Sequence, residues 1–380
     1  MLDFYSQQIA NLASEGNLRH IPADTSSRPG VTDLSTNDYL GLGTDRKLRE
    51  EFYDSCDVAD IPMSSTASRL LSSSQKYYSA LEDRLAELYG KDILIFNSGY
   101  HANTGLIAAI ASAPDTFVIA DRLVHASIID GIVLSKCRFT RFPHNDFDRL
   151  HQLLEKNAGV YRHILVIVES VYSMDGDRAD IGRLIELKRR YDNVMLYVDE
   201  AHAFGVEGPM GLGMVAAHDS AGEVDVTVGT FGKACASMGA FCAVSPTLKK
   251  FILNRARSFI FSTALPPVTA AWTLYVINKI VDMDQQRAHL HSLGHRLANG
   301  INALLPSVKV LQSHIAPIIV GSPVKAVELS TRLLEQHFKV LPIRVPTVPP
   351  GTDRLRVSLS ASLTSEDVDR FIHTLASVLS

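Results

Sequence analysis

The sequence predicts an α/β protein: a mostly parallel central sheet with flanking helices, followed by a smaller C-terminal α+β domain. Three observations carry this reading. Short, mostly apolar runs at Ile93–Phe96, Phe117–Ala120, Ile164–Val168, Val194–Val198 and Val224–Val228 (the last interrupted by Asp225) read as strands. Helical patterns lie between several of them, at Asn103–Ala113, Ser127–Leu134, Phe147–Lys156 and Ile181–Tyr191. Strands without polar alternation are buried on both faces, and helices between them imply parallel crossovers. The third observation is length: 380 residues exceed one small module and leave room for two or three domains.

In chain order, the first fifteen residues form an amphipathic helix, with Leu2, Tyr5, Ile9 and Leu12 at helical spacing. A Pro-, Ser- and Asp-rich loop follows at Pro22–Asp33. The alternating α/β region comes next. After Pro266-Pro267 a single long helical stretch is expected to about Leu304. The end of the chain mixes strands (Ala316–Val320, Leu355–Leu359) with helices (Lys325–His337, Ser365–Leu379), the last opened by Ser365 as cap and Glu366 in its first turn. This gives an N-terminal segment at 1–45, a large domain at 46–285 and a small domain at 286–380.

Composition narrows the function. Thirty-seven basic against 41 acidic residues leave a net charge of −4, which argues against a nucleic-acid partner. Charged residues at 21% and hydrophobic ones at 46% exclude wholesale disorder. The four cysteines show no CxxC pair, so neither a disulfide scaffold nor a zinc knuckle is expected, no metal site is read, and a reducing cytoplasm is the expected location. The N-terminal stretch lacks a basic region and a long apolar core, so no secretory leader is expected. The longest apolar run, around Gly105–Ala113, is too short to span a membrane.

The chemistry concentrates in two segments. In Val194–Gly205 an apolar strand ends at Asp199 and His202 lies in the turn after it, the end of a parallel sheet where ligands bind. The plain alternative is a capping aspartate and a loop histidine. Asp199–His202 also spells the DEAH box of a helicase-type ATPase. That enzyme needs an upstream GxxxxGK[ST] loop, and here Gly232-Lys233 lies downstream, is followed by Ala234, and has Thr227 in place of the first glycine. In Val224–Ala243 a lone Lys233 sits among small and apolar residues, either as a snorkelling edge residue or as a desolvated, reactive amine. The glycines around Thr230 would let backbone approach a phosphate closely. A lysine able to form a Schiff base, with an aspartate about thirty residues earlier at the end of a neighbouring strand, suits pyridoxal 5'-phosphate (PLP), which needs both groups.

These segments, DEAHAFG (Asp199–Gly205) and TFGK (Thr230–Lys233), belong to a larger set: FNSGYHAN (Phe96–Asn103), DRLVHASIIDG (Asp121–Gly131) and VESVYSMDGD (Val168–Asp177). STNDYLGL (Ser35–Leu42), FPHND (Phe142–Asp146), FSTALPP (Phe261–Pro267) and IRVPTVPPGTDRLR (Ile343–Arg356) extend it. Together they resemble, in order and from about residue 15 to the C-terminus, the α-oxoamine synthases, a branch of the fold-type I PLP enzymes. The resemblance implies that Lys233 carries the cofactor, Asp199 pairs with its pyridine nitrogen, His202 hydrogen-bonds its phenolic oxygen and His125 stacks on its ring. It implies that Gly99 and Tyr100 offer backbone N–H groups to the phosphate at a helix start, and that Ser173 and Thr230 add hydroxyls. Ser262 and Thr263 would reach the phosphate from the partner subunit of a homodimer. Arg356 would clamp the amino-acid carboxylate, with Arg19, Asn37 and Thr347 in the substrate pocket.

The implied reaction is a decarboxylative condensation of glycine with an acyl thioester. The Ile343–Arg356 segment most resembles members that take pimeloyl, on coenzyme A or acyl carrier protein, towards biotin. Siblings remain as alternatives: 2-amino-3-ketobutyrate CoA ligase, 5-aminolevulinate synthase and serine palmitoyltransferase. A catalytically silent partner subunit is a further alternative, which the presence of Lys233 argues against. Met63–Tyr78 departs from the family pattern, with small hydroxyl residues and Ala67 replacing glycines and Tyr78 replacing a histidine. Ser360–Leu363 lacks another usual histidine, and Ala203 stands where serine or glycine is common.

Overall fold

The computed structural model describes residues 2–21, 30–73, 75–306 and 308–379. The chain divides into two units. One consists of Leu40–Tyr172 and Arg178–Arg287. The other gathers the chain up to Tyr39, the short excursion Ser173–Asp177, and everything from Ala288 on. Residues up to Tyr39 of the N-terminal segment thus group with the C-terminal part of the chain.

The larger unit is organised by a seven-stranded sheet: β1 (Asp92–Phe96), β2 (Thr116–Asp121), β3 (Arg138–Phe142), β4 (His163–Glu169), β5 (Val194–Asp199), β6 (Val226–Thr230) and β7 (Ala240–Val244). Their order is β1-β7-β6-β5-β4-β2-β3. Five of these strands pair in parallel from β6 to β3, and β7 runs antiparallel to both its neighbours. The mostly parallel sheet is therefore as expected, with β7 as the reversed strand.

The two faces explain why the strands read as unbroken apolar runs. Val118, Ala120, Leu165, Ile167 and Val228 pack beneath helices Gly99–Ile110, Ala126–Ser135 and Pro246–Arg255. Ile119, Val166, Val168, Leu196 and Val198 face helices Phe147–Asn157 and Ile181–Lys188. Successive side chains alternate between faces, and each face has its own apolar layer.

Several expectations shift. The strand read at Val224–Val228 runs from Val226 to Thr230, because Asp225 stays outside it and accepts from the Leu196 N–H at 2.7 Å and the Lys188 ammonium at 2.5 Å. The long helix after Pro266 is two helices, Pro267–Ile280 and Asp284–Leu304. The buried Arg287 makes the break: its guanidinium donates to the Ile280 carbonyl at 2.7 Å and to Asp284 at 2.5 Å, closing one helix and opening the next.

In the other unit, a three-stranded antiparallel sheet has the order Leu341–Ile343, Arg354–Ser358, Ile315–Ile319. Helices Pro323–Glu335 and Ser365–Leu379 belong to the same unit. Residues 22–29 of the loop read at Pro22–Asp33 lie outside the described residues, while Thr32–Asp33 pairs in parallel with Phe338–Lys339. The N-terminal helix spans Leu2–Ser14.

Candidate active site

The parallel strands end in polar residues: Asp121, Glu169, Asp199 and Thr230 are the last residues of β2, β4, β5 and β6. This is the edge where an open parallel sheet presents its loops to a ligand. A cavity of about 180 Å³ opens there, and Asp199, His202 and Lys233 line it. Thr230, His125, Gly99 and Tyr100 line it too, so seven of the residues singled out in sequence converge on one space.

Each is placed by a local device. Lys233 follows the tight turn after β6, where the Thr230 hydroxyl accepts from the Gly232 N–H and donates to the Gly239 carbonyl. Its Nζ lies 2.7 Å from Nε2 of His202. The close approach of the two loops demands glycine at 205, since a Cβ there would sit 2.6 Å from that of Ala234 and the backbone is left-handed, φ +87°. Both oxygens of Asp199 are fixed as acceptors, Oδ1 by the Ala201 N–H at 2.8 Å and Oδ2 by the Asn103 amide at 2.7 Å.

His125 caps helix Ala126–Ser135, with Nδ1 accepting the Ser127 N–H at 3.2 Å. Nδ1 is therefore the acceptor nitrogen and Nε2 carries the proton. Burial pushes the His125 imidazole below its usual range, against the pull of the Asp199 charge and with the push of Lys233, so it is neutral near pH 7. Ser98 caps helix Gly99–Ile110 through the His101 N–H, and the Gly99 and Tyr100 N–H groups sit in the first turn, where no intrahelical acceptor exists. Such a terminus suits an anion.

Three polar lining residues were not singled out in the sequence: Asn103, Ser127 and Glu169. Asn103 is the hub. Its amide reaches Asp199 and, at 3.0 Å, the Ser127 hydroxyl, and its oxygen accepts from Tyr197 at 2.6 Å. The Ser127 hydroxyl also lies 2.8 Å from His125 Nδ1, so one buried chain ties the aspartate to the histidine. Their only sequence signal was membership of FNSGYHAN, DRLVHASIIDG and VESVYSMDGD.

The remaining candidates lie elsewhere. Ser262 and Thr263 are held by the Asn97 amide, at 2.9 Å to the hydroxyl and 2.5 Å to the carbonyl respectively, and are not among the residues lining this cavity. Ser173, Asn37 and Arg356 belong to the other unit, where the structure brings them together. Arg356, 3% exposed, donates to the Ser173 carbonyl at 2.6 Å, Asn37 Oδ1 at 3.1 Å and the Ser358 hydroxyl at 2.6 Å. Among the described residues its acceptors are all neutral, in contrast to Arg354, which pairs with Asp175 at 2.6 Å. Arg19 donates to the Thr347 hydroxyl at 3.0 Å in the same unit.

Tyr78, which replaces a family histidine, is buried and donates to the Leu265 carbonyl at 2.5 Å, as Ser65 does at 2.6 Å. Burial pushes its phenol up to about 12, so it is a fixed neutral donor.

The comparisons with known proteins decide the family. Residues 29–375 match the model of aminotransferase class I and II. The 8-amino-7-oxononanoate synthase of Haemophilus ducreyi (strain 35000HP / ATCC 700724) is 41% identical over 389 residues, covering 98% of this chain and 100% of that one. The chain belongs to the aminotransferase class I and II family, in its α-oxoamine synthase branch. A serine palmitoyltransferase from S. paucimobilis, solved with bound PLP and myriocin, superposes with a TM-score of 0.89 at 26% identity, covering 99% of this chain and 96% of that one. A serine palmitoyltransferase from Sphingomonas wittichii gives 0.88 at 29%, with the same coverage.

This α-oxoamine synthase is a PLP-dependent enzyme of the acyltransferase type, and the ATPase alternative falls. The cavity fits the cofactor: a primary amine, an aspartate with both oxygens held, a neutral imidazole and a helix start for an anion share one space. The Glu200 of the DEAH sequence faces away from that role. Its oxygens accept from the Ser170 hydroxyl and the Met214 and Val215 N–H groups, which pins the following loop. Among the described residues no helix is long and apolar enough to cross a membrane, and no cluster of three or more acidic, cysteine or histidine side chains is disposed to hold a metal.

Proposed function

We propose that the enzyme condenses L-alanine, rather than the glycine expected from the sequence, with pimeloyl thioester, carried on coenzyme A or acyl carrier protein, to give 8-amino-7-oxononanoate, carbon dioxide and the free thiol; the nine-carbon product takes seven carbons from the acyl group and two from an amino acid that loses its carboxyl, which glycine cannot supply. The observation that carries the chemistry is the shared cavity of Lys233, His202 and Asp199, with 2.7 Å between amine and imidazole. Support for the substrate comes from the end-to-end match to a relative named for this product. A sibling using another thioester is the second reading, favoured by the serine palmitoyltransferase likeness.

Bound in the cavity, PLP supplies an electron-accepting ring that stabilises negative charge on the amino-acid Cα. Asp199 would hold the proton on the ring nitrogen, and Asn103 and the Ala201 N–H keep that carboxylate aimed. Lys233 Nζ would take the Cα proton and later return one. His202 would hydrogen-bond the phenolic oxygen, and it sets the orientation of the Lys233 amine. His125 would pack against the cofactor, and its Nε2–H, or His202, would polarise the substrate ketone as carbon dioxide leaves. Gly99 and Tyr100 N–H groups and the Ser173 and Thr230 hydroxyls hold the phosphate, with Ser262 and Thr263 contributed by the partner subunit of a homodimer in the cytoplasm. Arg356 clamps the amino-acid carboxylate, an anion that suits a buried guanidinium with neutral acceptors only. Arg19, Asn37 and Thr347 complete the substrate pocket.

The test is a product assay by mass spectrometry with L-alanine, glycine or serine and pimeloyl, acetyl, succinyl or palmitoyl thioesters. The proposal expects 8-amino-7-oxononanoate from pimeloyl at the highest kcat/KM. Preference for another acyl group would transfer the assignment to the corresponding sibling.

A further inference from the structure

Glu169 lines the cavity, is 2% exposed, and has no part in the reaction as derived so far. It ends β4 as Asp199 ends β5, and the two are register partners on adjacent parallel strands, so both side chains leave the same face of the sheet. Two buried acids side by side do not both ionise when one cation serves them. The donors show which of them is equipped as the anion. Asp199 receives two N–H groups, one on each oxygen, whereas Glu169 receives one, from the His125 backbone to Oε1 at 2.5 Å. Among the described residues Oε2 of Glu169 has no protein partner.

We propose that Glu169 is a positioning residue acting as an uncharged carboxylic acid: its carbonyl oxygen fixes the His125 N–H, and its hydroxyl is offered into the cavity as a donor to an oxygen of the bound cofactor or substrate. The fixed N–H and the Ser127–Nδ1 contact together hold His125 at two points, backbone and ring, which locks the imidazole over the cavity. The groups that face Glu169 agree with this. Burial raises its carboxyl well above the usual range, the charges of Asp199 and Asp121 raise it further, and Lys233 and the His125 N–H oppose without reversing the effect. The inference rests on the PLP reading of the cavity but not on the identity of the acyl donor.

Two variants separate the neutral acid from a carboxylate. Gln at 169 keeps a carbonyl for the His125 N–H and an N–H donor for the cavity, and cannot ionise; Leu keeps the volume and loses both. Solvent exchange of the L-alanine α-hydrogen in the holoenzyme, which needs no thioester, is expected to fall about 10–100-fold in Glu169→Leu, the loss of one or two buried hydrogen bonds. Glu169→Gln is expected to restore most of that loss, with a pH profile parallel to wild type. Infrared difference spectra of wild type minus Glu169→Gln, with PLP bound and after its removal, are expected to show the carbonyl band of a protonated carboxylic acid at pH 7. An ionised-carboxylate band, or a Gln variant as impaired as Leu, overturns the proposal. If the Leu variant does not fold, the Gln variant and the infrared band decide alone. Failure to make 8-amino-7-oxononanoate, with exchange and infrared results as expected, would count against the donor assignment only.

Discussion

Lys233 and Asn103 show what a single position contributes to this site. Lys233→Ala is expected to abolish the yellow absorbance of bound cofactor in a folded protein and to cut turnover by at least about 100-fold, the scale of a lost general base; ultraviolet–visible spectra and the product assay check both. Asn103→Ala leaves one Asp199 oxygen without its donor, so PLP affinity measured by titration should weaken about 10-fold or more, as for a lost hydrogen bond to a charged group. Lysine in an apolar run and an aspartate at a strand end are legible in sequence because each is out of place there. Asn103 is not, because a polar residue inside a helical pattern reads as a solvated face until folding sets position 103 against position 199. Glu200 makes a third residue-scale prediction. Burial raises its carboxyl to about 7 from an ordinary 4.5, against three hydrogen bonds. The folded state therefore holds an extra proton across that window, and the stabilisation present below about 4.5 is lost as pH rises through about 7. Glu200→Gln cannot titrate, so the wild type's advantage over it should shrink by up to about 3 kcal/mol between pH 4.5 and 8, at about 1.4 kcal/mol per pH unit. Denaturant melts of both proteins at the two ends measure it.

At the scale of elements, the site depends on how closely two helices can lie. Helix Gly99–Ile110 brings the amides of its first turn and Asn103, and helix Ala126–Ser135 brings His125 and Ser127. They meet at Gly131, where a Cβ would stand 2.9 Å from the Asn103 carbonyl and 3.0 Å from the Ile107 Cβ. Gly131→Ala must push the helices apart, costing about 1–3 kcal/mol by overpacking, and it should weaken PLP binding along with the melting temperature. An alanine variant with unchanged melting temperature would contradict the tight packing. The strands of this layer were readable because both faces are apolar. β3 was not: its sequence RFTRF is charged and largely exposed, as an edge strand needs to be to resist pairing with another chain, and that protection hides it from an apolar reading. β7 follows the Lys233 loop so closely, and begins with so small a residue at Ala240, that it merged with the loop. The break between Ile280 and Asp284 was invisible because no proline or glycine marks it; a buried arginine makes it through bonds to both helix ends.

For the whole molecule, the division into two units separates two groups of the candidate site residues. Every residue lining the cofactor cavity belongs to the larger unit, while Arg356 and its acceptors Asn37, Ser173 and Ser358 belong to the other. The chain secures this by leaving the larger unit for five residues, Ser173–Asp177, where Gly176 has φ +70° and a Cβ would come within 2.2 Å of the Ile315 carbonyl. Sequence motifs could name Arg356, but its set of neutral acceptors depends on three segments meeting, at 37, 173 and 354–358, which no local pattern encodes. If Arg356 serves the amino-acid carboxylate and the larger unit serves the cofactor, the two are separable by mutation. Arg356→Lys replaces a planar fork by a point charge, so it forfeits the paired geometry while keeping the charge. It should raise the alanine KM about 10–100-fold, the worth of one or two charge-assisted bonds, and leave PLP affinity and the visible spectrum as in wild type. A variant that instead loses PLP with an unaltered KM would place the arginine in cofactor binding and remove the basis for its assignment to the substrate.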